Sequence, residues 1–270
     1  MNASRTLEDL VAAVQANPKY RTIHPELVRR VAAIEQAKGR NWKETIKATR
    51  NKLHQVGGAY QENEIEYDLW TDRLDALPSG LSSEDVQLFC KHLMAHHAST
   101  KERLPILETF YAEALAPLGP VRSVIDLACG LNPLCLPWIP LAEGAPYYAC
   151  DIYAESIAFI NRFFAHFRQP GEAFLCDLIG AVPDVPAHLA LLLKTIPCLE
   201  QVDKSIGSRL LEQIPAENLL VSFPAQSLGG RSKGMVDNYE AHFHELVAGK
   251  DWSVTRFEFQ TELAFLIRRP

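Results

Sequence analysis

The sequence predicts an α/β fold in two parts: a helical domain over residues 1–115 and a sheet-forming domain over residues 116–270. Three observations predict it. Apolar residues recur three and four apart as far as residue 115; short aliphatic runs alternate with helical stretches after Pro120; and the segment "DLACGLNPLCLPW", 126–138, has the form of a strand, a turn and a helix start. Val121, Val124, Ile125 and Leu127 have the aliphatic, partly β-branched character of a strand covered on both faces. Gly130 allows a sharp turn or a close ligand approach, and Pro133 suits the first turn of a helix. Open α/β sheets bind their ligands at such turns, beyond the carboxyl ends of the strands.

The helical elements read in order as "TLEDLVAAVQA", "HPELVRRVAAIEQA", "WKETIKATRNKLHQV", "SSEDVQLFCKHLMAHHA" and "LPILETFYAEALAPL". Breaks are expected at Asn17-Pro18, Gly39, Gly57-Gly58 and Pro78-Ser79-Gly80, and Ser82 followed by Asp85 resembles a helix-start cap. Strands are expected in "VRSVIDLA", "PYYACDIY", "AFLCDL", "HLALLLKTI" and "NLLVSFP", with "WSVTRFEFQ" and "TELAFLIRR" as a closing hairpin. There is no internal repeat and no low-complexity segment.

With 47% hydrophobic and 22% charged residues, the 270-residue chain is globular. No apolar run approaches a membrane span, and the N-terminus lacks the apolar block of a signal peptide, so a cytoplasmic protein is expected. The six cysteines include no C-x-x-C pair; free thiols are expected, and no metal site. Residues 1–55 hold eleven Lys or Arg against five Asp or Glu, a net +6 that leaves −12 on the other 215 residues. A basic head on an acidic body suits an ordered polyanion-docking surface, with Lys19, Arg21, Arg29 and Arg30 as its candidates. Lying before the Gly57-Gly58 break, this head is expected to supply no strand-tip residue to the cofactor crevice and to leave cofactor affinity untouched.

The strand ends carry the chemistry. Asp151 ends the second strand, twenty-one residues after Gly130, where a carboxylate accepts hydrogen bonds from both ribose hydroxyls of a nucleoside. Asp177 ends the third, placed for an adenine amino group. The G-x-G-x-x-G fingerprint is absent, since Asn132 and Cys135 stand at its later positions, and no pyrophosphate cradle is evident. A nucleoside cofactor without phosphates points to S-adenosylmethionine. Its carboxylate needs a cation, for which "HHASTKERLP" offers Arg103, with His97 and Ser99 as polar neighbours and Lys101 as the competing choice.

These residues resemble the aminoglycoside-resistance methyltransferases that modify 16S ribosomal RNA at N7 of guanine 1405. The resemblance rests on "HASTKERLP", "DLACGLNPL", "CDIY", "CDL", "LLLKTIPCLEQ" and "VSFPAQSLGGRSKGM", supported by "NPKYRTIHPELVRRVA" and "LHQVGGAYQ". It implies a Rossmann-like S-adenosylmethionine-dependent methyltransferase domain preceded by a helical RNA-docking domain, acting on 16S rRNA within the 30S subunit. No obligate protein partner is evident in the sequence, and a monomer is expected. The family's cofactor contacts would fall on Tyr60, His97, Ser99, Arg103, Ala128, Gly130, Asp151, Asp177, Leu178, Leu193 and Gln201.

Guanine N7 carries a free in-plane lone pair, so its methylation needs positioning rather than a general base. Lys194 is expected to reach guanine O6 or a phosphate, Phe223 to position the base, Arg231 and Lys233 to contact RNA, and Met235 to pack on the target base. Two other readings compete: carbon-5 cytosine transfer through Cys198, which follows Pro197, and a non-catalytic rRNA-binding or assembly protein with a vestigial cofactor fold.

Overall fold

The computed structural model describes residues 5–58, 65–226 and 234–270. Helices α1 (Leu7–Gln15), α2 (Pro18–Arg21), α3 (Pro25–Gln36) and α4 (Trp42–Leu53) open the chain. Their first turns are capped by side chains: Thr6 with Asp9 and Asn41 with Glu44 form reciprocal capping boxes on α1 and α4, while Asn17 and His24 cap α2 and α3 ahead of Pro18 and Pro25. Helices α5 (Tyr67–Asp75), α6 (Glu84–Met94), α7 (Ala98–Arg103) and α8 (Leu107–Leu115) follow. The N-cap of α6 is Ser83, one residue beyond the expected Ser82, and its side chain makes no capping hydrogen bond.

The described strands are β1 (Val124–Leu127), β2 (Tyr147–Asp151), β3 (Ala173–Leu175), β4 (Ala187–Leu193), β5 (Ala216–Pro224), β6 (Ser253–Glu258) and β7 (Glu262–Arg268). They form one sheet in the order β3-β2-β1-β4-β5-β7-β6, parallel from β3 to β5, with β7 antiparallel to both its neighbours. Each expected strand is present, and β6 and β7 form the expected hairpin. After β1 the chain runs outward to β2 and β3, then returns to lay β4 on the other side of β1. That reversal opens a crevice beyond the ends of β1 and β4. Helices α9 (Ala154–Phe167), α10 (Ile196–Leu199), α11 (Ile206–Gln213) and α12 (Met235–Val247) connect and cover the strands.

Alternate residues of each strand feed opposite faces of the sheet. Ile125, Leu127, Leu192 and Val221 share a buried cluster with Leu10 and Val14 of α1 and Leu27, Val28 and Val31 of α3. Val124, Ala149, Leu191 and Leu220 share another with Phe89 and Leu93 of α6 and Phe110 and Ala114 of α8. The texture changes from helices to strands after α8, but the packing does not divide there.

The N-terminal helices are also tied to the tip of β2. The His24 N–H donates to Ile152 O at 2.7 Å, the Ala154 N–H donates to Thr22 O at 2.9 Å, and Ile23 bridges Tyr153 antiparallel. Gly57-Gly58 is no break: His54–Gly58 continues α4 as a π-helical turn. A Cβ on Gly57 would lie 3.0 Å from the Tyr153 hydroxyl, so the glycine lets this turn close on the residues after β2.

Candidate cofactor and catalytic site

A cavity of about 950 Å³, counted out to open solvent, lies at the crevice between β1 and β4. Of the residues expected to hold the cofactor, it brings together His97, Ser99, Arg103, Ala128, Gly130, Asp151, Asp177, Leu178 and Leu193. Tyr60 lies outside the described residues, as do Arg231 and Lys233. Gln201 is not brought to the cavity. It is exposed beyond α10, where its backbone carbonyl accepts from Lys52 Nζ at 3.0 Å. The turn that ends α10 carries it outward.

The loop after β1 turns through positive φ at Ala128 and Gly130, both 52°. A Cβ on Gly130 would sit 2.8 Å from the His97 ring, so glycine is required both for the turn and for the close approach of α7. Asp151 holds this loop: its Oδ2 accepts from the Gly130 N–H at 2.8 Å and its Oδ1 from the Ile152 N–H at 2.7 Å. Burial raises the Asp151 pKa, while the backbone donors of Gly130, Ile152 and Tyr153 counteract it. Asp177 Oδ1 accepts from the Ile179 N–H at 3.0 Å. Burial and the nearby charges of Arg103 and Lys194 push the His97 imidazole down to about 4, so it is neutral at physiological pH.

Behind the loop runs a buried polar network. Arg103 Nε and Nη2 donate to the two carboxylate oxygens of Glu262 at 3.0 and 2.7 Å, and Nη1 donates to Asn132 Oδ1 at 2.8 Å. Asn132 Nδ2 in turn donates to Asp126 Oδ2 at 2.8 Å, as does the Tyr147 hydroxyl at the same distance. Asn132 therefore links the arginine to the first strand, which explains a polar residue where a dinucleotide fingerprint has glycine. Lys194 is buried with φ of +60°, a strained backbone for a lysine, and pairs with Glu102 at 2.6 Å and Glu262 at 3.5 Å. Lys194 lines the cavity, and its ammonium is held by Glu102 rather than by solvent.

Two expectations are corrected here. Phe223 is fully buried and packs on Tyr239, Phe243 and Phe265, because its register on β5 points it into the core; it does not present a ring to a base. The basic head does reach the crevice. Leu27, Val56 and Gly57 line the cavity, and Arg30 Nε donates to Asp177 Oδ2 at 2.9 Å. Arg29 pairs with Glu8 and Glu26, whereas Arg21 and Lys19 stay exposed, Lys19 Nζ lying 3.2 Å from His54 Nδ1. Met235 begins α12, half-buried. Tyr67, Asn132, Ile152, Tyr153, Ser156 and Thr195 also line the cavity; Asn132, Ile152, Tyr153 and Thr195 lie within the quoted motifs but outside the expected cofactor contacts, and no motif singles out Tyr67 or Ser156.

The residues fit a nucleoside cofactor that carries a carboxylate. Two acids stand at strand tips, Arg103 borders the same cavity, and apolar Leu27, Leu178 and Leu193 complete the walls. Comparison with known proteins decides the family, because the model of the ribosomal RNA methyltransferase (FmrO) family matches residues 16–266. The chain belongs to the FmrO family. Among its relatives, the 16S rRNA (guanine(1405)-N(7))-methyltransferase of Frankia casuarinae is 35% identical over 260 residues, 95% of this chain and 91% of that one. The enzyme of the same name from Micromonospora rosea is 32% identical over 266 residues, 97% of each chain. The crystal structure of the 16S rRNA methyltransferase RmtF in complex with S-adenosyl-L-homocysteine superposes with a TM-score of 0.83 at 29% identity, covering 100% of both chains. The FmrO family thus accounts for helices and sheet together, and the resemblance seen in the sequence motifs extends over the whole architecture.

Proposed function

We propose that the protein transfers the methyl group of S-adenosylmethionine to N7 of guanine 1405 in 16S rRNA, the reaction for which its relatives are named, and so confers aminoglycoside resistance. The observation that carries the reading is the convergence of Asp151, Asp177 and Arg103 on one cavity at the β1–β4 crevice. When bound, the cofactor supplies an electrophilic methyl group on a sulfonium. Asp151 spends one lone pair of each oxygen on a backbone N–H and keeps others for two ribose hydroxyls. Asp177 accepts from the adenine amino group, and Arg103 faces the amino-acid end. Lys101, the competing cation, is exposed and does not line the cavity. Neutral His97 adds no positive charge beside a sulfonium.

N7 attacks with its own lone pair, and no side chain removes a proton. The residues orient the base and exclude water. Lys194 suits a contact to guanine O6, and because Glu102 and Glu262 compensate its charge, it does not oppose the positive charge that grows on the purine. The Cys198 thiol donates to Lys194 O at 3.0 Å, a hydrogen bond that requires its proton and disfavours a thiolate nucleophile for carbon-5 chemistry.

RNA docking falls to the basic head. Arg21, Lys43 and Lys47 are exposed with no ion pair among the described residues, Lys43 and Lys47 are one turn apart on α4, and Arg50 lies over the Tyr20 ring to set α2 beside it. The substrate on this reading is the 30S subunit, met in the cytoplasm by a single copy of the chain. No described helix is long and apolar enough to cross a membrane. The test is primer extension on 16S rRNA after incubating purified protein with 30S subunits and S-adenosylmethionine, using strand cleavage specific for 7-methylguanine. A cofactor-dependent stop at guanine 1405 is expected, and its absence overturns the assignment.

A further inference from the structure

Arg30 stands between the helical docking region and the adenine end of the cavity. It projects from α3, its side chain is 40% exposed, and its Nε donates to Oδ2 of Asp177, whose own side chain is only 6% exposed. The second oxygen of Asp177 is held by the Ile179 N–H in the turn that follows β3. The carboxylate is thus gripped from two sides, once by its own turn and once by an element far away in sequence.

Gly180 gives an independent indication that the place of Arg30 is built. A Cβ on Gly180 would collide with Arg30 Nη2 and lie 3.0 Å from Asp177 Oδ2. The φ of Gly180 does not demand glycine, as it lies outside the left-handed region. The guanidinium lies against the bare backbone at Gly180 while its Nε faces the carboxylate, so the glycine marks the contact, although the end of the arginine could swing aside for a Cβ.

We propose that Arg30 is a positioning residue for the cofactor: it fixes the rotamer of Asp177 and so pre-organises the acceptor for the adenine amino group, which makes cofactor affinity depend on the seating of the N-terminal helices. This rests on the reading of Asp177 as the adenine contact. A carboxylate at the end of a short edge strand has two free side-chain torsions, and binding to an unclamped one would include the entropy of ordering it. The guanidinium takes one lone pair of Oδ2 and leaves others directed at the cavity. Arg30 reaches the acceptor without lining the cavity itself.

The experiment is titration calorimetry of S-adenosylhomocysteine, without RNA, against the full-length protein and the variants Arg30→Ala, Arg30→Met and Asp177→Asn, each checked for an unchanged melting profile. Arg30→Ala should raise the dissociation constant about tenfold. Arg30→Met, which keeps an unbranched stem and removes the donors, should do the same, and it serves alone if Arg30→Ala does not fold. On 30S subunits the same rise should appear in the KM for the cofactor. If Asp177→Asn weakens binding but both Arg30 variants leave it unchanged, the positioning role is wrong and Arg30 is only a surface cation. If Asp177→Asn itself leaves binding unchanged, the adenine assignment fails and this inference fails with it.

Discussion

Arg103 and Glu262 form a bidentate ion pair in which both side chains are 0% exposed, although 159 residues separate them along the chain. The pair joins α7 to the first residue of β7 and holds the guanidinium at the wall of the cofactor cavity. Burial works against the Glu262 carboxylate, but Arg103 and Lys194 outweigh it and keep its pKa below the ordinary glutamate value. Removing one member leaves the other charged, buried and uncompensated. Glu262→Ala should therefore lower stability by about 3–5 kcal/mol in urea unfolding. A destabilisation of less than about 1 kcal/mol would mean that the pair is solvated or dispensable.

Asp126 allows a pH test. Burial raises its pKa to about 6, against the hydrogen bonds from Asn132 and Tyr147 that favour the charged form. Because the folded pKa lies above the unfolded value, the folded state holds the proton more tightly, and this residue's contribution to stability falls as pH rises from about 4 to about 6. Both donors point at one oxygen, Oδ2, so an amide oxygen can replace it. Asp126→Asn should equal the parent near pH 4 and gain up to about 3 kcal/mol relative to it above pH 7. Parallel stability profiles of the two proteins would contradict this.

Asp151→Ala should weaken S-adenosylhomocysteine binding by about 2–4 kcal/mol, because two charge-assisted hydrogen bonds from the ribose hydroxyls can no longer form. The Gly130 N–H would also be left without its acceptor, loosening the loop. Titration calorimetry reads the change directly, and unaltered affinity would remove the nucleoside-site argument.

Cys198→Ala should retain most methylation activity and form no covalent RNA adduct, since direct displacement at N7 needs no nucleophilic thiol. Abolished turnover with normal cofactor binding would revive the cytosine mechanism.

Charge reversal at Arg21 together with Lys43 or Lys47 should weaken 30S binding and flatten its salt dependence, by about one unit of slope for each phosphate that is no longer neutralised. Cofactor affinity should not move, since none of the three borders the cavity. Arg29 and Arg30 are unsuited to this test, because Arg29 pairs with Glu8 and Glu26, and Arg30 with Asp177. An unchanged slope with full activity would leave the basic head as a merely solvated face.

What the sequence determined by itself is local. Hydrophobic spacing and capping residues specified the helices, aliphatic runs specified the strands, and residues next to strand ends had to meet at the crevice once the sheet was parallel. Asp151, Asp177 and Gly130 were legible for that reason. What only the tertiary structure decided depends on contacts between distant segments, which no short-range pattern encodes. Glu262 reads as the start of a hairpin strand, yet antiparallel pairing of β7 with β5 brings it beside Arg103, Lys194 and Ser222. Phe223 reads as an aromatic at a strand end near the target, yet the register of β5 turns it into the core. Arg30 reads as one of eleven cations in a basic head. The packing of α3 on the sheet sets it against Asp177, because burying Leu27, Val28 and Val31 leaves Arg30 at the edge of the buried face, within reach of the turn after β3.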